Sequence, residues 1–164
     1  MKKLCLLAVL LLVLTSCGSS RKTTDTVVIG TSTSVSNKKA EKIVRHAKSF
    51  EGTRYKFGGT TSSGMDCSGL MYVSFKKENI DLPRISRDMA TLGRRIYIGE
   101  LSLGDLIFFR TSKKGTGINH VGLVVEARNG KVRFIHSTSS RGVIISSLSE
   151  RYWRDAYVLA KRVI

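Results

Sequence analysis

Cysteine is scarce in this sequence, and its scarcity limits how the fold can be held together. The chain has three cysteines: Cys5, Cys17 and Cys67. We expect the first two to belong to an export and anchoring segment, so Cys67 has no partner for an intramolecular disulfide. In an oxidising compartment, a lone thiol is either buried and inert or retained because it reacts. The residues next to Cys67 in the sequence distinguish between these alternatives.

The spacings that hold structural or catalytic metals are also missing. The sequence contains no His-x-x-x-His and no Cys-x-x-Cys, the spacings typical of zinc sites. We therefore expect neither a metal nor a cofactor. Helix-turn-helix signals, zinc-finger spacing and mixed aromatic-basic stacking motifs are absent as well, and nucleic acid is not an expected partner.

The first sixteen residues resemble an export signal. Two lysines precede the apolar run from Leu4 to Leu14, which is short for a membrane span. The run ends at Thr15-Ser16-Cys17, a pattern similar to a bacterial lipoprotein processing site, with lipid on the Cys17 sulfur. The alternative is an ordinary secretory signal followed by an incidental cysteine. Gly18 and the lack of an acidic run after it favour an outer-membrane anchor facing the periplasm.

Acidic residues are few. The chain has 12 Asp and Glu against 28 Lys and Arg, and removing Lys2 and Lys3 with the signal leaves a net charge of about +14. A basic surface suits an anionic partner such as an envelope polymer, although it is also compatible with a merely solvated surface. Export of the protein also argues against nucleic acid as the anionic partner.

Composition divides the rest of the chain into a tether and one domain. Ten of the nineteen residues 18–36 are Ser or Thr, and such a segment buries too little apolar surface to offset its ordering entropy. We predict a flexible, membrane-anchored tether over residues 17–36. Residues 37–164 have the size of a single domain, and we expect a monomer.

Hydrophobic periodicity predicts helices first. Ala40, Ile43, Val44, Ala47 and Phe50 form one stripe at helical spacing, with a start near Ser36 or Asn37 and a stop before Gly52. His46 falls on the opposite, polar face, and we interpret it as a solvated surface residue.

A second helix should begin at Asp66-Cys67-Ser68. A short third helix follows Pro83, with Ile85, Met89 and Leu92 facing inward and Gly93 as its stop.

Strand-like segments occupy the second half. They are residues 105–110, 121–127, 132–136, 143–146 and 156–163, separated by turn residues. Helices followed by strands indicate an α+β fold with a mainly antiparallel sheet.

Cys67 has the surroundings of a reactive thiol rather than of a packing residue. At a helix start, unpaired backbone N–H groups and the helix dipole favour the thiolate and could receive an oxyanion. The flanking residues Asp66, Ser68 and Gly69 are polar or small. We therefore predict a nucleophile whose pKa is below that of an ordinary thiol, with alkylation by iodoacetamide well below pH 8.5.

A nucleophilic thiol needs a base, and the base needs an orienting partner. His120 opens one predicted strand and His136 closes the next. A two-residue turn at Asn129-Gly130 would place these histidines on opposite faces of the hairpin. A three-residue loop, Arg128 to Gly130, would pair Gly122 with His136 and bring both histidines to one face. The catalytic hypothesis predicts the three-residue loop; the alternative is two unrelated strand histidines.

These motifs, in this order, resemble the NlpC-type cell-wall cysteine peptidases. They are Tyr55-Lys56-Phe57-Gly58-Gly59, Asp66-Cys67-Ser68-Gly69, Gly104 to Phe109, Asn119-His120-Val121-Gly122, His136-Ser137 and Tyr152-Trp153. The resemblance spans about residues 39–163 and implies a papain-like fold. Phe57 stands where the family usually has Trp.

The resemblance implies a role for each matching residue. Cys67 would be the nucleophile, His120 the general base and acid, and His136 the orienting residue, a position that also tolerates Asn or Gln in the family. Tyr55 would assist the oxyanion or hold substrate, or merely pack. Asp66, Ser68 and Arg84 would contact a charged wall peptide, although Asp66 could equally cap its own helix. We expect Asp105 to stabilise a turn and Trp153 to lie in the core.

The implied activity is hydrolysis of peptidoglycan amide bonds that involve diaminopimelate or D-amino acids. Two alternatives remain on the same scaffold. One is a non-catalytic wall-binding lipoprotein, suggested by the basic surface. The other is an envelope amidase or acyltransferase.

Overall fold

The computed structural model describes residues 30–112 and 115–164, with side chains from residue 35. The predicted signal peptide, the lipidation site Cys17 and residues 17–29 of the predicted tether lie outside this part. Within it, no helix combines the length and the apolar character that crossing a membrane requires.

The first helix, α1, covers Gly30–Lys48. Its apolar stripe is confirmed, since Ala40, Ile43, Val44 and Ala47 are buried. Its predicted start near residue 36 is wrong by six residues, and residues 30–36 are helical rather than part of a flexible tether. Once the packed stripe has nucleated the helix, each further turn avoids the cost of nucleation, so the helix extends into the Ser/Thr-rich segment.

The remaining helices are short. They are α2, Cys67–Lys76, α3, Ser86–Met89, the 3₁₀ turn Ile98–Glu100, and α4, Arg151–Ala156. The predicted start of α2 is confirmed, and Met89 faces inward on α3. Ile85 is 53% exposed, so its predicted inward position is wrong. It is the extended residue before α3, where helical periodicity does not yet apply.

Six strands form one antiparallel sheet. In chain order they are β3, Arg94–Ile96, β4, Leu106–Phe109, β5, His120–Arg128, β6, Lys131–Thr138, β7, Gly142–Ser147, and β8, Tyr157–Arg162; β1, Thr60–Thr61, and β2, Gly64–Met65, make a separate small hairpin. The strand order is β3-β8-β4-β5-β6-β7. The predicted α+β class with a mainly antiparallel sheet is confirmed. The sequence interpretation missed β1, β2, β3 and α4, all of which are shorter than seven residues.

The sheet is covered on both faces. Leu106 and Phe108 of β4 pack into the cluster beneath α1 and α2, whereas Ile107 and Phe109 pack into a second cluster that contains Trp153. Alternating side chains of one strand therefore enter two cores. This double burial explains why β4 reads as an uninterrupted apolar run.

The hairpin of β5 and β6 reaches the predicted pairing by a different route. Arg128 pairs with Lys131, so the turn is the two-residue form, with Asn129 at φ 51° and Gly130 at φ 73°. The predicted three-residue loop is wrong. The register then shifts between Val124 and Glu126, which leaves Val125 as one extra residue in β5, a β-bulge.

The bulge restores the arrangement that catalysis needs. Beyond it, Leu123 pairs with Ile135, and continuing this register places Gly122 opposite His136. His120 and His136 therefore lie on the same face, one diagonal step apart. The conclusion about the two histidines holds, although the turn from which it was argued does not exist.

Candidate active site

Cys67 lies at the first position of α2. The Asp66 side chain caps the helix by accepting a hydrogen bond from the Gly69 amide at 2.6 Å. The sulfur is half-buried and is not part of a disulfide. The backbone N–H of Val121, next to His120, points to the sulfur, as do the N–H groups of Ser68 and Cys67 itself. These donors surround the position at which negative charge would develop.

The predicted depression of the thiol pKa is contradicted. Burial raises the pKa of Cys67 above its ordinary value; the Val121 N–H lowers it again in part, and the Asp66 carboxylate raises it further. The helix start does supply donors, as the sequence indicates, but removal of the sulfur from water is the larger effect. The raised pKa therefore keeps Cys67 a neutral thiol at neutral pH.

His120 and His136 form a buried hydrogen-bonded chain. His120 Nε2 lies 2.9 Å from His136 Nδ1, and His136 Nε2 lies 3.0 Å from Ser146 Oγ. If His120 donates from Nε2 and His136 donates from its own Nε2, every contact has one donor and one acceptor. This arrangement leaves His120 Nδ1 unprotonated and free to accept the thiol proton.

Both imidazoles are neutral over the ordinary pH range. Burial lowers the pKa of His120 to about 4. Burial, and then the charges of His120 and Arg141, lower the pKa of His136 to about 3. A neutral base beside a neutral thiol can take up a proton during the reaction, which is the task of a general base.

Trp153 covers the two histidines. Its ring stacks on His120 at a centroid distance of 5.4 Å and meets His136 edge-on at 4.5 Å. The predicted core position is confirmed, since Trp153 is 5% exposed. It also lines the cavity next to Cys67, so it both fixes the imidazoles and excludes water from them.

Asp66, Ser68 and Arg84, for which the resemblance implies contact with substrate, lie together and bind one another. Arg84 donates from Nη1 to Asp66 Oδ1 at 2.8 Å and from Nη2 to Asp66 Oδ2 at 2.9 Å. It also donates to Ser68 Oγ at 2.8 Å and to the Gly59 carbonyl at 3.1 Å. These contacts fasten the glycine-rich loop to the start of α2. The three side chains still line the groove, so a substrate contact remains a proposal.

This network also affects the charge of Asp66. Burial acts to raise the pKa of its carboxyl, but hydrogen bonds from Arg84 and from the Gly69 and Gly58 amides bring it below its ordinary value. Asp66 is thus a permanent carboxylate, and its capping role, one of the two alternatives from the sequence, is present.

A groove runs along both sides of the nucleophile. Two cavities share Tyr55, Cys67 and Asn119. The first, of about 470 Å³, continues past His120 along the β6–β7 turn and is called the turn-side cavity below. The second, of about 510 Å³, continues past Arg84 and Phe57 and is called the loop-side cavity. An extended peptide could therefore cross Cys67 with residues in both.

Tyr55 lies at the junction of the two cavities. Burial, followed by the charges of Asp66 and Cys67, raises the pKa of its hydroxyl. The group remains a protonated donor at neutral pH. Its position suits either of the roles that the resemblance implies.

Ser146 is a site residue that the sequence interpretation missed. His136 pairs with Ile144 on β7, so Ser146 lies one diagonal step away on the same face. The available signal was its spacing of two residues from Ile144, which places both on one face of a strand. Asn119 was missed as a separate site residue, and it lines both cavities.

His46, Asp105 and metal ligation complete the list of predictions. His46 is half-buried rather than fully solvated: its ring meets Phe50 edge-on at 5.1 Å, and Nδ1 is buried without a hydrogen-bond partner. It lines neither cavity. Asp105 does stabilise a turn, because its Oδ2 accepts from the Ser102 amide at 2.8 Å, and it pairs with Arg162. In the residues described, no cluster of three or more His, Cys, Asp or Glu could hold a metal ion.

Comparison with known proteins agrees with this geometry. Residues 52–162 match the NlpC/P60 family. The chain is 42% identical over 114 residues to the "Probable endopeptidase NlpC homolog" of Haemophilus influenzae, covering 69% of this chain and 57% of that protein. It is 37% identical over 116 residues to the "Murein DD-endopeptidase MepS/Murein LD-carboxypeptidase" of Escherichia coli K12, covering 70% and 58%.

Solved structures show the same fold. An NlpC/P60 family protein from Bacillus cereus superposes with a TM-score of 0.68 at 30% identity, over 76% of this chain and 40% of that one. The chain spans slightly more than half the length of the two curated relatives named above. The matched segment contains the Cys67 helix start and both strand histidines, and on these grounds the chain belongs to the NlpC/P60 family.

Proposed function

We propose that this protein is a cysteine peptidase that hydrolyses amide bonds of peptidoglycan stem peptides or crosslinks containing diaminopimelate or D-amino acids. Cys67 is the nucleophile, His120 the general base and acid, and His136 the residue that orients His120. The observation that supports this most directly is the chain from His120 through His136 to Ser146, buried beside a half-exposed thiol at a helix start.

The geometry supports a base-assisted attack. His120 Nδ1 takes the thiol proton as the sulfur bonds to the scissile carbonyl carbon. The carbonyl oxygen becomes an oxyanion, which the N–H groups at the start of α2 stabilise, with Tyr55 as a further donor. The imidazolium donates its proton to the leaving amine, the carbon–nitrogen bond breaks, and an acyl-enzyme remains. Water then attacks the thioester with His120 again as the base, releasing the acid and restoring the thiol.

The charge state of the site agrees with this order of events. The thiol pKa is raised and the His120 pKa is lowered, so the resting pair is neutral and no stored ion pair precedes attack. The positive charge that forms transiently on His120 is met by the acceptor His136 Nδ1. An orienting hydrogen bond of this kind serves the same purpose as the acidic member of a Ser-His-Asp triad.

Lipidation of Cys17 would hold the enzyme at the membrane. We propose cleavage before Cys17, a lipid on its sulfur, an outer-membrane position facing the periplasm, and action as a monomer. The segment between Cys17 and α1 is short, which would keep the catalytic domain near the membrane surface. Metabolic labelling with a palmitate analogue tests this; a Cys17→Ala variant that still carries the label would contradict it.

The decisive experiment uses purified peptidoglycan sacculi. The detergent-solubilised full chain should release soluble peptides, Cys67→Ala should release none, and His46→Leu, a matched change of a histidine outside the groove, should match the parent. Mass spectrometry of the products identifies the bond. Release by Cys67→Ala, or none by the parent, would contradict the proposal. Sacculus binding without cleavage would support a wall-binding protein. Cleavage of an amide bond outside the stem peptides and crosslinks would support an amidase, and products that carry a transferred acyl group would support an acyltransferase.

A further inference from the structure

The two cavities beside Cys67 differ in chemistry. The loop-side cavity carries exposed apolar side chains, with Phe57 88% exposed, and its Arg84 already binds Asp66 with both nitrogens. The turn-side cavity is lined mainly by hydroxyls, including those of Ser137 to Ser140, and by Arg141. The two halves of a substrate therefore meet different surroundings.

The position of His120 indicates which half enters the turn-side cavity. His120 must donate its proton to the leaving amine, so the substrate portion that carries this amine lies toward the imidazole. His120 and Trp153 line the turn-side cavity and not the loop-side cavity. The leaving-group half of the substrate, which begins with the new amine, therefore occupies the turn-side cavity.

Arg141 is the cation available in that cavity. Its side chain is exposed, and within residues 30–112 and 115–164 the guanidinium takes part in no ion pair. It lines the same cavity as His120, and its charge is one of the causes that lower the pKa of His136. The acidic residue in the same cavity, Glu150, accepts a hydrogen bond from the Ser147 amide at 2.8 Å.

The turn that carries Arg141 is held in place. The Arg141 amide donates to Thr138 Oγ1 at 3.1 Å. The next residue, Gly142, has φ +66°, and a Cβ there would collide with the Thr53 carbonyl oxygen. Val143 donates to this same oxygen at 2.8 Å. The turn is thus fastened to the segment that leads into Tyr55. The backbone of Arg141 is therefore held in place beside the groove.

We infer that Arg141 is a specificity-determining residue that binds a free carboxylate of the substrate, located next to the leaving amine. This inference rests on the proposed peptidase function and refines it. The chemical class it selects is an amide whose nitrogen belongs to an amino acid with an unblocked carboxylate, such as the diaminopimelate half of a crosslink. A guanidinium binds a carboxylate through two parallel hydrogen bonds. A carboxamide in the same place carries no negative charge and cannot form this charged pair.

The test compares two substrates that differ in one group. Crosslinked stem peptides containing diaminopimelate are prepared with the carboxylate beside the crosslinking amine either free or amidated. The parent should cleave the free acid with a kcat/KM about tenfold or more above that of the amide, the effect of one charged hydrogen-bonded pair. In Arg141→Gln this ratio should fall close to one, because the loss, mainly in KM, is much larger for the acid than for the amide.

Two variants control for charge and for geometry. Arg128→Gln removes the same charge at the opposite end of β5 from His120 and should leave the ratio at its parental value. Arg141→Lys keeps the positive charge but lacks the planar guanidinium that binds a carboxylate with two hydrogen bonds. It should restore part of the preference for the free acid over the amide. An unchanged ratio in Arg141→Gln, or an equal loss for both substrates, would overturn the inference.

A binding measurement separates failure of this inference from failure of the proposed function. Titration calorimetry of Cys67→Ala with the two peptides should show tighter binding of the free acid, and Cys67→Ala/Arg141→Gln should bind both equally. Carboxylate-dependent binding without cleavage by the parent would reject the peptidase and retain the carboxylate site. Cleavage by the parent with equal binding of acid and amide would reject the carboxylate site and retain the peptidase.

Discussion

His120 Nε2 lies 2.9 Å from His136 Nδ1, and the second nitrogen of His136 lies 3.0 Å from Ser146 Oγ. Two titratable rings thus share one hydrogen bond in a site that is nearly free of water, with His136 fully buried. Such a chain stays satisfied only while both rings are neutral or while a single proton is shared, because neighbouring positive charges disfavour each other.

Replacement of His136 should separate orientation from proton transfer. His136→Asn keeps an oxygen that can accept from His120 Nε2, so kcat/KM should stay within about tenfold of the parent. His136→Leu removes the acceptor and should cost about 10²- to 10⁴-fold. The measurement is the initial rate of peptide release from sacculi. Equal activity of the Leu and Asn variants would show that His136 does not orient the base.

Loss of the Ser146 hydroxyl should reduce stability more than catalysis. Ser146→Ala leaves His136 Nε2 buried without its partner, which costs about 1–3 kcal/mol in the free energy of unfolding. Activity should fall by a smaller factor than in His136→Leu, since the bond between the histidines remains. Urea denaturation measures the effect. Ser147→Ala, the half-buried neighbour on β7 whose hydroxyl meets Ser149, is the control and should reduce stability by less than Ser146→Ala does.

Alkylation of Cys67 should follow a buried neutral thiol. Burial raises the thiol pKa, and the lowered pKa of His120 leaves no imidazolium at neutral pH to stabilise a thiolate. The rate of iodoacetamide labelling of the free enzyme should therefore still be rising above pH 9. Asp66→Asn, which removes a nearby negative charge, should shift the profile toward lower pH. A plateau of the parental rate below pH 7 would contradict a neutral resting pair.

Acid should destabilise the fold before the histidines of the native state titrate. Their pKa values in the folded protein, about 4 for His120 and about 3 for His136, are below the value of about 6.5 in an unfolded chain. Below pH 6.5 the unfolded state binds more protons, so the free energy of unfolding falls until pH 3–4 and then levels off for these groups. The loss should be several kcal/mol, at roughly 1.4 kcal/mol per pKa unit.

The same measurement on a variant checks the assignment. In His136→Asn one of the two groups is removed, so denaturation curves between pH 6.5 and 4 should show a smaller decline in stability than the parent. A decline of the same size would place the responsible protons elsewhere in the molecule.

The sequence predicted those elements that are determined by residues close together in the chain. A cysteine preceded by a capping aspartate defines the start of α2, and an apolar stripe identifies the packed part of α1. Both features depend on spacing within one element. The predicted face of the histidine pair was also correct, but not for the predicted reason: the bulge at Val125 offsets the two-residue turn, which by itself would place the histidines on opposite faces.

Features that depend on tertiary packing could not be predicted. The extra residue Val125 has no distinctive local signal, and the register shift that makes it a bulge is visible only in the pairing of β5 with β6. The raised pKa of Cys67 follows from burial by segments distant in sequence. The pairing of Arg84 with Asp66, 18 residues apart, shows the same limit: the resemblance implied a substrate contact, whereas in the fold the two side chains bind each other.

Because of the bulge at Val125, the number of residues between His120 and His136 determines whether the two imidazoles lie on the same face of the sheet. Deleting Val125 would close the bulge and keep Gly122 opposite His136, whereas a one-residue deletion that left the bulge in place would reverse the face of His120. A single insertion would have the same effect unless a second bulge absorbed it. A change of one residue in this arm therefore keeps both imidazoles on one face only if a bulge is lost or gained with it.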